Sequence, residues 1–253
     1  VNRTKKLSVN QLSYAFDGKP VLEDMSLELE QGKVLAIVGR SGCGKTTLLN
    51  LIANLLEDEN HSIISSFEST AVLFQDPRLL PWKNCKDNIS WGMKAQGVAR
   101  GERETAAIKL ASEVGLHDED LAKYPHELSG GMKQRVAMAR SFAVKPELLL
   151  LDEPFSALDI GLKEDLYDLL ISEIEHRGLT VLFITHDIME AIRLADEVMV
   201  LTDKPGRLAH RHVIDRPRKQ RDQDYLYGSA LNLLKIDSVK SAFQTGESYA
   251  TSR

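Results

Sequence analysis

Polar and apolar residues alternate over positions 7–9 and 26–29, the period-two pattern of strands with one buried face. Asp17-Gly18-Lys19-Pro20 lies between them, and an Asp-Gly pair beside a proline predicts a turn joining two strands. After Gly32 the pattern becomes a continuous apolar run, 33–38, which predicts a parallel strand covered on both faces. A glycine-rich loop follows, then helical apolar spacing over 46–56.

Positions 101–140 read as helices. Ala106, Ile108, Leu110, Ala111 and Val114 recur at helical spacing, as do Val136 to Ala139, with Pro125 breaking the run. This predicts a helical subdomain inserted into a strand–helix core. Two further buried strands are expected at 148–151 and 180–185. Between them Leu162, Leu166, Leu169, Leu170 and Ile174 mark one face of an amphipathic helix. A last short strand is expected at 198–201. Strands alternating with helices of this length predict an α/β fold with a mostly parallel sheet. Beyond Arg207 the chain is charged: Arg207, Arg211, Arg216, Arg218, Lys219 and Arg221 precede a helix expected over 222–235, with Tyr227, Leu231 and Leu234 on one stripe. Positions 244–253 are polar and are expected to fray.

Composition narrows the class. The 253 residues are 43% hydrophobic and 27% charged, enough for a sizeable core in one or two domains. A net charge of −5 argues against a dedicated nucleic-acid binder. The apolar runs fall well short of the ~18–20 residues of a membrane helix. The basic start, Val1 to Lys6, has no apolar stretch after it, so no secretory signal is expected. Cys43 and Cys85 provide neither a disulfide framework nor a CxxC metal pair, which points to a reduced, cytoplasmic setting. His210 and His212 read as surface residues.

The segment Gly39-Arg40-Ser41-Gly42-Cys43-Gly44-Lys45-Thr46 fits GxxxxGK[ST], between a buried strand and an amphipathic helix. Glycines let the backbone wrap a phosphate and aim its N–H groups inward. The helix opening near Gly44 turns its free N–H groups and positive dipole end to the same anion. Lys45 then reaches the β/γ-phosphates of a nucleotide, the Thr46 hydroxyl ligates Mg²⁺, and Thr47 adds a phosphate contact. Cys43 is either a small tolerated residue or, through the dipole, a thiol of lowered pKa open to alkylation.

A second chemical feature is Leu148-Leu149-Leu150-Leu151-Asp152-Glu153-Pro154, an apolar strand ending in two carboxylates. The C-terminal ends of such strands are where α/β sheets bind ligands. Asp152 can hold Mg²⁺ through its water shell, which leaves Glu153 to polarise a water in line with the γ-phosphate.

Leu128-Ser129-Gly130-Gly131-Met132-Lys133-Gln134-Arg135 closely resembles the LSGGQ-type signature of ATP-binding cassette (ABC) ATPases, with Met132 in place of the usual glutamine. The resemblance covers residues 7–215. It implies a P-loop NTPase core with a mostly parallel sheet, an N-terminal antiparallel β-subdomain and the inserted helical subdomain, about 84–143, within an ATPase domain of 1–215; 216–253 would be a helical extension and polar tail. It also implies roles. Gln75 resembles the Q-loop glutamine and would join Thr46 and Asp152 around Mg²⁺. Ser156-Ala157-Leu158-Asp159 resembles the D-loop, with Asp159 near the nucleotide. His186 resembles the switch histidine. Phe16, with Tyr14 beside it, stands where the family stacks an aromatic on adenine; a core position is the alternative. Lys45, Gln75, Glu153 and His186 would be the catalytic set, and Ser129, Gly130 and Gly131 would reach ATP from a second subunit.

Leu73-Phe74-Gln75-Asp76-Pro77-Arg78-Leu79-Leu80-Pro81-Trp82 and Arg216-Pro217-Arg218 look like the nitrate/sulfonate/taurine group of importer ATPases. That resemblance implies a homodimer, or a heterodimer with a similar ATPase, at the cytoplasmic face of the membrane. Its partners would be permease subunits and, indirectly, an extracytoplasmic solute-binding protein, with no nucleic acid. The alternatives are an exporter ATPase or an ABC ATPase acting on nucleic acid or ribosomes. Leu79, Leu80 and Trp82 either meet the permease or pack on the helical subdomain. The segment between Lys45 and Gln75 is short for the family, and 57–69 lacks its usual Pro and Gly turns, so a trimmed β-subdomain is expected. The basic stretch 207–221 could touch anionic partners or, with Asp215 and Asp222, form a solvated face.

Overall fold

The structure, a computed structural model, describes residues 4–243. The fraying tail expected at 244–253 lies outside the described residues. Two long strands, β1 (Lys6–Phe16) and β2 (Lys19–Glu30), form an antiparallel hairpin. Asp17 and Gly18, both at positive φ, make its two-residue turn. Then follow β3 (Val34–Val38), α1 (Lys45–Ile52), β4 (Ile63–Ser65) and β5 (Thr70–Leu73). The helical subdomain contains α2 (Cys85–Ala95), α3 (Arg100–Glu113), two 3₁₀ turns, the second opened by Pro125, and α4 (Gly130–Ala143). The core resumes with β6 (Leu148–Asp152), α5 (Ile160–Arg177), β7 (Thr180–Thr185), α6 (Ile188–Leu194), β8 (Glu197–Leu201) and β9 (Leu208–Val213); α7 (Gln223–Lys235) and α8 (Asp237–Phe243) close the described chain.

The large sheet runs β5-β6-β7-β3-β8-β9, parallel except for β9. Its central strands are buried on both faces, which is why they read as continuous apolar runs. Leu35, Ile37, Leu148, Leu150, Leu182 and Ile184 point to one core, shared with α1 and the hairpin. Val34, Ala36, Val38, Leu149, Leu151, Val181 and Phe183 point to the other, shared with the helical layers. The small sheet is β2-β1-β4, and β4 has three residues. The parallel order places the ends of β3, β5, β6 and β7 along one edge. The phosphate loop, Gln75, Glu153 and His186 all follow those ends.

Three features differ from the sequence reading. First, β9 is an antiparallel edge strand within the stretch read as a charged tail. His210 and His212 sit half-buried on it, rings 6.2 Å apart, and burial lowers the His212 pKa. Second, α7 buries Leu226, Ala230 and Leu233, whereas Tyr227, Leu231 and Leu234 face solvent. Third, 207–221 is not simply a solvated face. Arg218 donates to the carbonyl of Leu194 and to Asp196. Arg221, 7% exposed, donates to the carbonyls of Ile192, Arg193 and Ala195, at the C-terminal end of α6. Those carbonyls have no partners within their own helix, and a guanidinium satisfies several at once. Burial pushes its pKa down to about 10. Arg221→Met should lower the unfolding free energy by about 2–4 kcal/mol, because buried carbonyls lose a charged donor. Urea denaturation measures this, and an unchanged midpoint would show that water replaces the guanidinium freely.

Candidate functional site

Helix α1 begins at Gly44 without a side-chain cap, in contrast to α2, α4, α5, α6 and α7, which are capped by Asn84, Ser129, Asp159, Asp187 and Asp222. Its first-turn N–H groups are thereby left for an anion. Gly44 has φ 99°, and a Cβ there would lie 2.8 Å from Leu22 Cδ2 and 3.0 Å from the Val21 carbonyl oxygen. No larger residue fits where the loop meets the hairpin. Lys45, 6% exposed, donates to the carbonyls of Gly39 and Arg40, both at 2.8 Å, so its ammonium lies inside the curl of the loop. Arg40 pairs with Asp203 at 2.9 Å, Ser41 and Gly42 are exposed, and Thr47 is half-buried. Cys43 is fully buried, and burial raises its thiol pKa. Desolvation outweighs the nearby ammonium, which favours the small tolerated residue over the activated, accessible thiol.

The Thr46 hydroxyl donates to Asp152 Oδ2 at 2.9 Å. Burial raises the Asp152 carboxyl pKa, partly offset by that hydroxyl. Two oxygen donors in contact, one a buried carboxylate, suit a hard divalent cation. Glu153 has φ 47°, a left-handed conformation that a non-glycine residue adopts at a cost. Its N–H donates to the Ile184 carbonyl, and its own carbonyl accepts from the Ser156 hydroxyl, so neighbouring structure holds it there. The turn aims its carboxylate back over the loop. Glu153 Oε2 meets Gln75 Nε2 and His186 Nδ1, each at 3.3 Å. A cavity of about 180 Å³ is lined by Val21, Ser41, Gly42, Gly44, Lys45, Thr46, Thr47, Gln75 and Glu153.

Some sequence-singled residues lie elsewhere. Phe16 is 46% exposed, edge-on to Tyr14 at 5.0 Å, so its face is open rather than buried in the core. Ser129, Gly130, Gly131 and Asp159 are absent from the cavity wall. Ser129 caps α4 through Met132 N–H, Gly131 lies beside Ala157 and Leu158, and Asp159 caps α5. Ile160, next to Asp159, is 84% exposed. Leu79 and Leu80 are half-buried, Leu79 against the main core, whereas Trp82 is 69% exposed. The three are therefore not equally available.

Other residues hold the site without having been singled out. Arg140 of α4 donates to the carbonyls of Pro77 and Arg78, fixing the loop after Gln75. The fully buried Asn88 side chain accepts from Leu80 N–H and donates to the carbonyls of Leu80, Lys83 and Asn84. Gln134 donates to the Pro154 carbonyl, tying the helix after Ser129 to the turn after Glu153.

Residues 22–156 match the ABC transporter family. The chain belongs to that family. The taurine import ATP-binding protein TauB of Escherichia coli O157:H7 is 41% identical over 238 residues, covering 91% of each chain. TauB of Yersinia pestis bv. Antiqua (strain Antiqua) is 38% identical over 242 residues, with the same coverage. The ATP-binding cassette MJ0796, whose dimeric post-hydrolysis structure holds ADP and Pi, superposes with a TM-score of 0.74 at 25% identity, over 83% of this chain and all of that one. The mixed, mostly parallel sheet with its antiparallel and helical subdomains is thus the ABC cassette fold. Among the described residues no helix is long and apolar enough to cross a membrane.

Proposed function

We propose that this ABC cassette hydrolyses ATP to ADP and phosphate as one half of a head-to-tail dimer. Acting at the cytoplasmic face of the membrane, the dimer drives a permease that imports taurine or a related small solute, such as another sulfonate or nitrate. The observation that carries the chemistry is Glu153 Oε2 meeting both Gln75 and His186 at 3.3 Å beside the phosphate loop. Sequence kinship with taurine import ATP-binding proteins over 91% of the chain supports the solute class.

Lys45 would exchange its loop carbonyls for phosphate oxygens, joined by the N–H groups of the uncapped α1. Phe16 would stack on the adenine. Thr46, Asp152 and Gln75 would hold Mg²⁺, which when bound neutralises phosphate charge. Glu153 orients a water and takes its proton as the water oxygen bonds the γ-phosphorus and the bond to the β–γ bridging oxygen breaks. His186 positions the same carboxylate. Ser129, Gly130, Gly131 and Asp159 are exposed or half-buried and away from their own chain's cavity, with Ile160 open beside them. That arrangement fits a site completed by a second copy. Phosphate release by the purified chain with ATP and Mg²⁺ tests the reading, and absence of release under all partner conditions would overturn it.

Trp82, an exposed aromatic beside a loop pinned by Arg140 and Asn88, suits a contact with the permease. Trp82→Ala should reduce permease copurification by about tenfold or more, the size of one interface anchor. Unchanged copurification would remove the contact.

A further inference from the structure

We propose that Glu190 is a positioning residue for the ATP site: its buried carboxylate locks the loop carrying His186 to the helix that follows Asp159. The inference rests on the ATPase reading above and names a part of that machinery outside the cavity. Glu190 is 6% exposed, in the first turn of α6. From the sequence it is an ordinary first-turn acid that complements a helix dipole. In the fold it turns inward. Oε1 accepts from Lys163 Nζ at 2.9 Å and from the Tyr167 hydroxyl at 3.0 Å, and Oε2 accepts from the Thr185 hydroxyl at 2.7 Å. A carboxylate is expensive to bury unless it is fully hydrogen-bonded. Here the donors come from α5 and from the end of β7.

The three partners surround the proposed chemistry. Thr185 immediately precedes His186. Its hydroxyl hydrogen goes to Glu190, and its oxygen accepts from Asp187 N–H at 3.0 Å, so both neighbours of His186 are held by one hydroxyl. Lys163 stands one turn into α5, whose N-cap is Asp159. The Tyr167 ring packs edge-on against Phe155, at 4.7 Å, two residues beyond Glu153. One carboxylate thus joins the segments bearing His186, Asp159 and Glu153. Loss of the Thr185 contact frees the backbone beside His186 and loosens the 3.3 Å approach of its ring to Glu153, while the phosphate loop stays untouched.

The test is steady-state ATP turnover by the full chain carrying Thr185→Val, Thr185→Ser or Glu190→Gln, with folding followed by denaturation midpoint. Thr185→Val keeps the side chain's shape and removes the hydroxyl; Thr185→Ser keeps the hydroxyl. The expected result is a kcat about tenfold or more lower for Thr185→Val and Glu190→Gln, with KM for ATP within about twofold of the parent, and recovery in Thr185→Ser. If Glu190→Gln does not fold, the Thr185 pair decides alone. A Thr185→Val chain with parental kcat, or a Thr185→Ser chain as slow as the valine variant, overturns the proposal. A parent chain that releases no phosphate, alone or with its permease, defeats the ATPase reading instead, before any variant is compared.

Discussion

Glu153→Gln is expected to slow ATP turnover by about 100-fold or more and to leave ATP bound, because the amide keeps the side chain's shape but cannot take a proton from water. The geometry around it favours a clean result. The left-handed turn at Glu153 is held through backbone groups, the N–H to Ile184 and the carbonyl to Ser156, and the substitution leaves these intact. The amide oxygen still accepts from Gln75 Nε2. Binding and chemistry should therefore separate. Single-turnover phosphate release, paired with retention of labelled ATP on the protein, measures both. A variant that turns over at the parental rate would remove Glu153 from the proton step.

Lys45→Ala should weaken ATP binding by about 100-fold or more, the size of a lost charged donor in a buried phosphate site. The lysine is deeply buried, and its ammonium donates to the Gly39 and Arg40 carbonyls. Alanine removes the counter-charge and leaves those carbonyls without their donor, so the loop loses shape as well as charge. Equilibrium binding of a fluorescent ATP analogue reads the loss directly. Parental affinity would mean that the loop's backbone N–H groups carry binding unaided.

The parts legible in the sequence share a physical reason. Strands β3, β6 and β7 are covered on both faces, so their apolar runs announce themselves. The phosphate loop and the Asp152–Glu153 pair follow such runs directly, and Asp17-Gly18 is a local turn code. Legibility ends where contacts are long-range and polar. Arg140 reaches Pro77 and Arg78, Gln134 reaches Pro154, and Arg221 reaches the end of α6. Nothing local marks which arginine will find buried carbonyls and which will stay in water. The edge strand β9, Leu208-Ala209-His210-Arg211-His212-Val213, has too polar a pattern to register as a strand and depends on pairing with β8. In α7 the sequence marks the Tyr227, Leu231 and Leu234 stripe, whereas packing against α6 and α8 buries Leu226, Ala230 and Leu233. Cys43 shows the same limit in electrostatics, since the helix dipole is readable from sequence and the burial that outweighs it is not.

In the proposed function one chain holds half of each ATP site. In their own chain Ser129 and Asp159 cap helices, Gly131 lies beside Ala157 and Leu158, and none of the three lines the phosphate cavity; under the proposed function they would reach ATP across a dimer. Sedimentation of the Glu153→Gln chain with ATP and Mg²⁺, against the same chain with ADP, measures this directly. The account predicts a dimer with ATP and a monomer with ADP; a monomer in both, with ATP fully bound, would contradict it.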